Sequence, residues 1–367
     1  WPRQAKDLKV LDPCCGSGHF LSAAFDLLVR FRMAEEDLSL EEAIRAVLAE
    51  NIFGLELEAR CTQIAAFNLA LAAWKMAGRV IDLPPLNIAC SGLSVGVPRI
   101  EWLKIAGDSE RLQNGMRILY DLFEQASELG SLIDPHLVIG DGNLYLAEFH
   151  ELQPLLEQAL KREVVVSNEE QQEIGVAAQG ITKAAEILNG KYTLVITNVP
   201  YLSRSKQSEK LREFCGTYYP EAKNDLATTF LERCLGYCHD GGATSIVLPQ
   251  NWLFLTSYRR FREKLLRDDT WHIVAQLGSS AFETISGEVV KAILISISRG
   301  QKKNKLSENL LSGLDASEAH QPVEKATLLR AKEMIQLKQN RQLENPDARF
   351  TFSEVQSSTL LGNYAVA

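Results

Sequence analysis

Asn198-Val-Pro-Tyr201 follows the apolar run Leu194-Val-Ile and gathers residue types suited to one demanding reaction. The side-chain oxygen of Asn198 and the carbonyl of Val199 are two acceptors on adjacent residues. Aimed at the two N–H bonds of an exocyclic amine on an aromatic ring, they would draw that nitrogen toward tetrahedral geometry. Its lone pair would then be free for attack. Pro200 completes the turn, and Tyr201 offers a flat face on which a base turned out of its stack can lie. Alone, the tetrapeptide is an ordinary turn. Its weight comes from its position, at the end of a buried strand where open parallel sheets present ligands.

Two further groups of residues suit a nucleoside-like ligand. Asp12-Pro-Cys-Cys-Gly-Ser-Gly-His-Phe20 places an acid at a strand end and glycines at 16 and 18, which let the backbone turn tightly and approach a ligand closely. Pro13, Cys14, Ser17, His19 and Phe20 complete this loop. The helix that follows points free N–H groups at a ligand carboxylate, while Asp12 faces a positive amino end. Glu56, followed by Leu57, ends the next strand in Phe-Gly-Leu-Glu-Leu-Glu. An acid there can accept both hydroxyls of a ribose. The competing role, capping the next helix, suits Glu58 better.

The elements that position these residues alternate. Lys9–Leu11, Ile52–Leu57 and Leu86–Cys90 read as strands, with helices over about His19–Arg32 and Arg60–Met76. That order implies parallel pairing with right-handed crossovers. Residues 101–190 break the alternation as a helical insertion, including Arg111–Ser127 and Leu152–Arg162. Thr193–Thr197 resumes the sheet. A helix near Asp225–Cys238, a strand Thr244–Leu248, a helix Tyr258–Leu266 and strands near Ile273–Leu277 and Val289–Ile297 follow, the last two suited to antiparallel pairing. The count is seven strands. The core is expected over 1–100 and 191–300. Residues 301–367, polar and then helical over Val323–Lys338, read as a linker toward a further domain, and the chain as a fragment of a longer protein.

Composition excludes several classes. No apolar run reaches the roughly 18 residues of a membrane span, and the N-terminal residues do not form a signal peptide, so a cytoplasmic location is expected. Seven cysteines, an odd number, do not make a disulfide framework. Without CxxC or HExxH no metal site is expected. The net charge of −8 weighs against nucleic acid, but three basic groups offset it. Arg204, Lys206, Lys210 and Arg212 follow the Asn198 site, with Arg204 and Lys206 the candidate DNA contacts. Arg259, Arg260, Arg262, Lys264 and Arg267 lie on a predicted helix, and Arg299, Lys302, Lys303 and Lys305 form the third group.

Together, Asp12–Phe20 and Asn198–Tyr201 resemble the signature of amino-methyltransferases, glycine loop first and base pocket second. More narrowly, Leu11–Leu21, Val195–Leu202, Tyr219–Leu235, Ser245–Leu266 and Leu277–Val290, with Gly287-Glu-Val-Val, are similar to the large restriction–modification and BREX phage-defence adenine methyltransferases of the phage-growth-limitation type. Ala126–Ile133 resembles the helical insertion of that group. The resemblance implies a Rossmann-like class I S-adenosylmethionine-dependent methyltransferase fold, a seven-stranded mixed sheet with a helical insertion. It implies S-adenosyl-L-methionine as cofactor, double-stranded DNA as partner, and transfer of a methyl group to a flipped adenine in host-DNA protection, with other subunits of a defence system as further candidate partners. Asp12, Gly16 and Gly18 would hold the methionine part, Glu56 the ribose, and Ala89–Gly92 would flank the adenine of the cofactor. Asn198–Tyr201 would hold the target base, with Phe282 a candidate second stacking face.

Two positions depart from the family. Val199 stands where it usually has proline, which keeps the carbonyl but loosens the loop. The third strand usually ends near an acid, whereas here it reads Cys90-Ser91-Gly92, so either Ser91 substitutes or Asp141 folds back from the insertion. No Pro-Cys pair stands at a pocket position, which argues against thiolate attack on a cytosine ring. Three other readings stay open. A glutamine-N5 protein methyltransferase would use the same pocket. A non-catalytic DNA-binding or assembly subunit would carry a decayed one. A nicotinamide-binding enzyme would need a third glycine that the loop lacks.

Overall fold

The computed structural model describes residues 2–107, 109–136, 169–279, 290–300, 309–319 and 321–352. They form two compact units, Trp1–Thr197 and Asn198–Ala367. Among the described residues no helix is long and apolar enough to cross a membrane, and none of the seven cysteines is in a disulfide.

In the first unit, β1 (Val10–Asp12), β2 (Ile52–Glu56), β3 (Asn87–Cys90) and β4 (Tyr192–Asn198) lie in the order β3-β2-β1-β4, every adjacent pair parallel. Strands buried on both faces must read as near-continuous apolar runs, and Val10-Leu11 does. Helices α1 (His19–Glu36), α2 (Leu40–Glu50) and α3 (Ala59–Ala77) pack against this sheet. Phe25, Leu28 and Val29 of α1 share one core with Ile44 and Val47 of α2 and Leu69 of α3. The sequence pattern passes over α2, although Ser39 and Glu42 form a complete capping box at its start. The insertion contributes α4 (Glu110–Phe123) and α5 (Glu169–Asn189). Its stretch 152–162 and Asp141 lie outside the described residues.

In the second unit, α6 (Glu209–Tyr218) and α7 (Leu226–Tyr237) precede β5 (Cys238–Pro249). Then come α8 (Arg259–Asp268), β6 (Thr270–Gly278), β7 (Ala292–Ser298), β8 (Leu310–Asp315), α9 (Pro322–Ala331) and β9 (Ile335–Lys338). Within the unit the order is β5-β7-β6-β8-β9. The pair β6–β7 is antiparallel, as the missing helical pattern between them implies; β6–β8 is parallel and β8–β9 antiparallel.

The strand count needs correction: nine strands are described, not seven. The two extra strands, β8 and β9, come from the polar stretch after Gly300, and the helix expected over 323–338 stops at Ala331. Leu311 and Leu314 of β8 and Leu337 of β9 are buried, so three apolar side chains suffice to seat two strands in a stretch that looks polar in sequence.

Most of the second basic group is structural. Arg262 is fully buried, and its guanidinium donates to the carbonyls of Trp252, Leu255, Asp347 and Ala348 at 2.5–3.1 Å. Burial lowers its pKa to about 10. Arg259 pairs with Glu263 and Lys264 with Glu232. In the third group Arg299 donates to the carbonyls of Gly236 and Cys238; Lys302, Lys303 and Lys305 lie outside the described residues.

Candidate active site

In the first unit, β1 delivers Asp12 to the end of the sheet, where it is 1% exposed. Its Oδ1 accepts from the Cys14 amide at 3.1 Å. Its Oδ2 and the Thr197 hydroxyl of β4 are both buried and near each other without closing a well-formed hydrogen bond. Burial raises the Asp12 pKa to about 7; Thr197 and the Cys14 N–H offset part of the rise, and the charge of Glu56 adds to it. A buried carboxylate oxygen without a well-formed hydrogen bond is costly.

The loop after Asp12 holds its shape through glycine. Gly16 and Gly18 have φ of 52° and 82°, in the left-handed region where a side chain is strained. Gly18 also lies against α3, where a Cβ would stand 3.2 Å from Ala65 Cα. Asn68 of α3 donates to the Ser17 carbonyl at 2.9 Å. No side chain caps the start of α1 at Gly18, so its first N–H groups remain directed outward beside the loop. His19 and Phe20 are exposed there.

Glu56 reaches the same loop. Its Oε2 accepts from the Gly16 amide at 2.8 Å, and its Oε1 from the amides of Leu57 and Glu58 at 2.9 and 3.1 Å. Beyond β3, Gly92 passes so near Leu57 that a Cβ would stand 2.1 Å from the Leu57 carbonyl oxygen. Ser91 is fully buried. Its amide and hydroxyl both donate to the Glu56 carbonyl, at 2.7 and 3.2 Å, and its hydroxyl meets that of Ser131 at 3.2 Å. Ser131 in turn donates to the Pro13 carbonyl at 2.5 Å. The Ser91 hydroxyl is thus engaged in joining β3 to the insertion. Ser131, Asn68 and Gly130, where a Cβ would stand 2.8 Å from Leu57 Cδ1, are site-shaping residues that sequence reasoning missed; the resemblance of Ala126–Ile133 to the family's insertion was the one signal that pointed to Ser131 and Gly130.

These features fit S-adenosylmethionine, the cofactor that methyltransferase families imply. Asp12, a buried acid with one oxygen lacking a well-formed hydrogen bond, suits an amino group, and uncapped helix amides suit a carboxylate. Glu56 is an acceptor beside the loop, and the Gly92 approach leaves no room for a side chain.

In the second unit, Val199 is buried while Asn198 and Pro200 are exposed. The Tyr201 hydroxyl donates to Asn198 Oδ1 at 3.4 Å. Residues 202–204 run antiparallel to 224–226: Arg204 N donates to the Asn224 carbonyl and Leu226 N to that of Leu202, both at 3.0 Å. This pairing carries Asp225 beside Tyr201. Asp225 caps α7 by accepting from the Ala227 amide at 2.9 Å, and burial raises its pKa. Burial, with the charge of Asp225 behind it, also pushes the Tyr201 phenol up, so the hydroxyl stays a donor.

Tyr201 and Asp225 line a cavity of about 630 Å³ with Lys206, Gln250, Phe254 and Lys291. Cavities of roughly 300–1,000 Å³ hold small organic ligands. Lys206 therefore borders the cavity, whereas Arg204 donates to the Arg212 carbonyl at 3.3 Å. Phe282 lies outside the described residues. Phe254 supplies a second aromatic side chain, and nothing in its surroundings in the sequence marks it.

Residues 50–282 match the family model described as Eco57I restriction-modification methylase, and residues 3–85 match that of the MmeI DNA-methyltransferase domain. The chain is 27% identical over 294 residues to the adenine-specific methyltransferase PglX of Lacticaseibacillus casei, covering 79% of this chain and 23% of that protein. It is 28% identical over 306 residues to the adenine-specific methyltransferase BrxX of Escherichia coli, covering 78% of this chain and 25% of that protein. The chain spans about a quarter of the length of these curated relatives. Among solved structures it is similar to a nuclease-deletion mutant of the Type ISP restriction-modification enzyme LlaGI in complex with a DNA substrate mimic. The TM-score is 0.55 at 13% identity, over 90% of this chain and 24% of that one. The DrdV–DNA complex gives 0.51 at 14%, over 91% and 28%. The likeness is one of fold, the mixed α/β class I arrangement.

Proposed function

Because the chain belongs to the Eco57I restriction-modification methylase family, we propose that it is the catalytic core of a site-specific adenine-N6 DNA methyltransferase acting in a cytoplasmic phage-defence or restriction-modification system. The observation that carries this reading is the cavity bordered by Tyr201, whose hydroxyl bonds Asn198. The cavity supplies aromatic faces for a base, and the Tyr201 hydroxyl links it to Asn198, the acceptor for the amine.

Asp12, the Gly16–Gly18 loop with the first amides of α1, and Glu56 are the residues that would hold S-adenosylmethionine. When bound, that cofactor supplies a methyl group on a positively charged sulfur. The chain's own work is binding and orientation. Tyr201, fixed through its hydroxyl, holds a base displaced from the duplex by stacking. Asn198 Oδ1 and the Val199 carbonyl accept from the two N–H bonds of the amine, which concentrates the lone pair on nitrogen. Buried Val199 keeps that carbonyl in place although proline is absent, and no covalent intermediate on the protein is required. Ser91, engaged with Glu56 and Ser131, would shape the adenine end of the cofactor site rather than bond the ring.

Nucleoside mass spectrometry on DNA incubated with the full-length parent and S-adenosylmethionine tests the reading, beside an Asn198→Ala control. N6-methyladenine with the wild type alone supports it. Methyl groups on protein glutamine but not on DNA would overturn it.

A further inference from the structure

The cavity of the second unit carries two lysines that base recognition does not use. Lys206 ends the turn Arg204–Lys206, and Lys291 stands one residue before β7; both are exposed and border the cavity with Tyr201 and Phe254. Among the described residues neither has an ion pair or a side-chain hydrogen bond. Arg259, Lys264, Arg267 and Arg299 all have carboxylate partners.

Asp225 is the carboxylate that shares the cavity, yet it does not neutralise them. It bonds the Ala227 amide, forms no ion pair with either lysine among the described residues, and has a raised pKa, the reverse of what a paired lysine causes. Two uncompensated ammonium groups beside aromatic side chains call for an anion joined to a flat ring. The volume of about 630 Å³ leaves room beyond a base.

Resting on Tyr201 being part of the base pocket, we propose that Lys206 and Lys291 hold a phosphate of the displaced nucleotide, so that the cavity takes a nucleotide and not a base alone. Turning a nucleotide out of a duplex moves its phosphate with it. An ammonium suits that group as a point charge whose long stem follows a moving partner. Such contacts carry no sequence information, so this grip would serve any recognition sequence.

Calorimetric titration at low salt with deoxyadenosine 5′-monophosphate and with deoxyadenosine tests the proposal on the wild type, Lys206→Gln, Lys291→Gln and the double variant. The monophosphate should bind about tenfold tighter than the nucleoside, a preference that fades with salt. The double variant should bring the ratio to about one and leave nucleoside affinity unchanged, each single variant falling between. Binding of either probe at the cofactor site is untouched by these substitutions. Equal affinity or no binding in the wild type overturns the proposal, as does a preference that survives in the double variant. Inorganic phosphate binding as tightly as the monophosphate would also overturn it, since an anion alone would then explain the lysines. No turnover is read, so an intact ratio with a parent that leaves DNA unmethylated would remove the proposed reaction and not this one.

Discussion

The Gly16 amide donates to Glu56 Oε2 at 2.8 Å, tying the glycine loop to the acid at the end of β2 across forty positions of sequence. Glu56 accepts three amides in all. A carboxamide has one acceptor oxygen and would turn N–H against N–H at the other. Glu56→Gln is therefore expected to weaken S-adenosylhomocysteine binding by roughly tenfold or more, since donors are left unmatched. Calorimetry on the chain reads this directly; affinity within twofold of wild type would refute the role.

Gly92→Ala places a methyl group 2.1 Å from the Leu57 carbonyl oxygen, a backbone atom that cannot swing aside. The strand end has to move, at a cost of about 1–3 kcal/mol for overpacking. A lower melting temperature and weaker cofactor binding should appear together. The contrasting control is Gly96→Ala, where a Cβ meets nothing within 4 Å, and it should change neither.

Asp12 predicts a pH dependence. Its carboxyl titrates near 3.8 in a free chain and at about 7 in the fold. Between those values the folded protein keeps a proton that the unfolded chain has lost. The contribution to stability is thus full below pH 3.8, erodes as pH rises toward 7, and is gone above it. Asp12→Asn keeps an acceptor for the Cys14 amide and removes the buried charge. It should raise the melting temperature at pH 8 by on the order of a few degrees, by less at pH 5, and abolish cofactor binding. A gain as large at pH 5 as at pH 8 would refute the burial account.

Asn198→Ala should lower turnover about 100-fold, the scale of losing one acceptor or donor that acts on the transition state, with S-adenosylhomocysteine affinity within twofold of wild type. Tyr201→Phe, which keeps the ring and loses the bond to Asn198 Oδ1, should fall between that variant and the wild type. Single-turnover rates on DNA carrying the parent's methylation motif give the comparison. Parallel losses of turnover and cofactor affinity in Asn198→Ala would remove its assigned role.

The parts of the site that could be read in sequence were those set by local chemistry. Gly16 and Gly18 are glycines because of their own φ, and Asn198–Tyr201 follows a strand recognisable from its own apolar run. The parts that stayed hidden depend on pairing between distant segments. Asp225 and Phe254 reach the Tyr201 cavity because 202–204 pair with 224–226 and because β5 ends where it does. Arg262 belonged to a basic run suggestive of DNA contact, and only the fold shows its guanidinium enclosed by four carbonyls. Ser131 is one hydroxyl in a helical stretch, and its bond to Pro13 crosses 118 positions.

The strands that follow Gly300 also decide how this core behaves when shortened. β8 runs parallel along β6, Ile273–Gln276 in register with Ser312–Asp315, and takes up the backbone groups that β6 turns away from β7. Ending the polypeptide at residue 300 would turn β6 from an interior strand into a naked flank, with Val274 and Ala275 among its residues. Such a flank is a template for a strand of another molecule. A trimmed core should self-associate through that flank, and a single charged residue pointing along the exposed edge would restore its solubility.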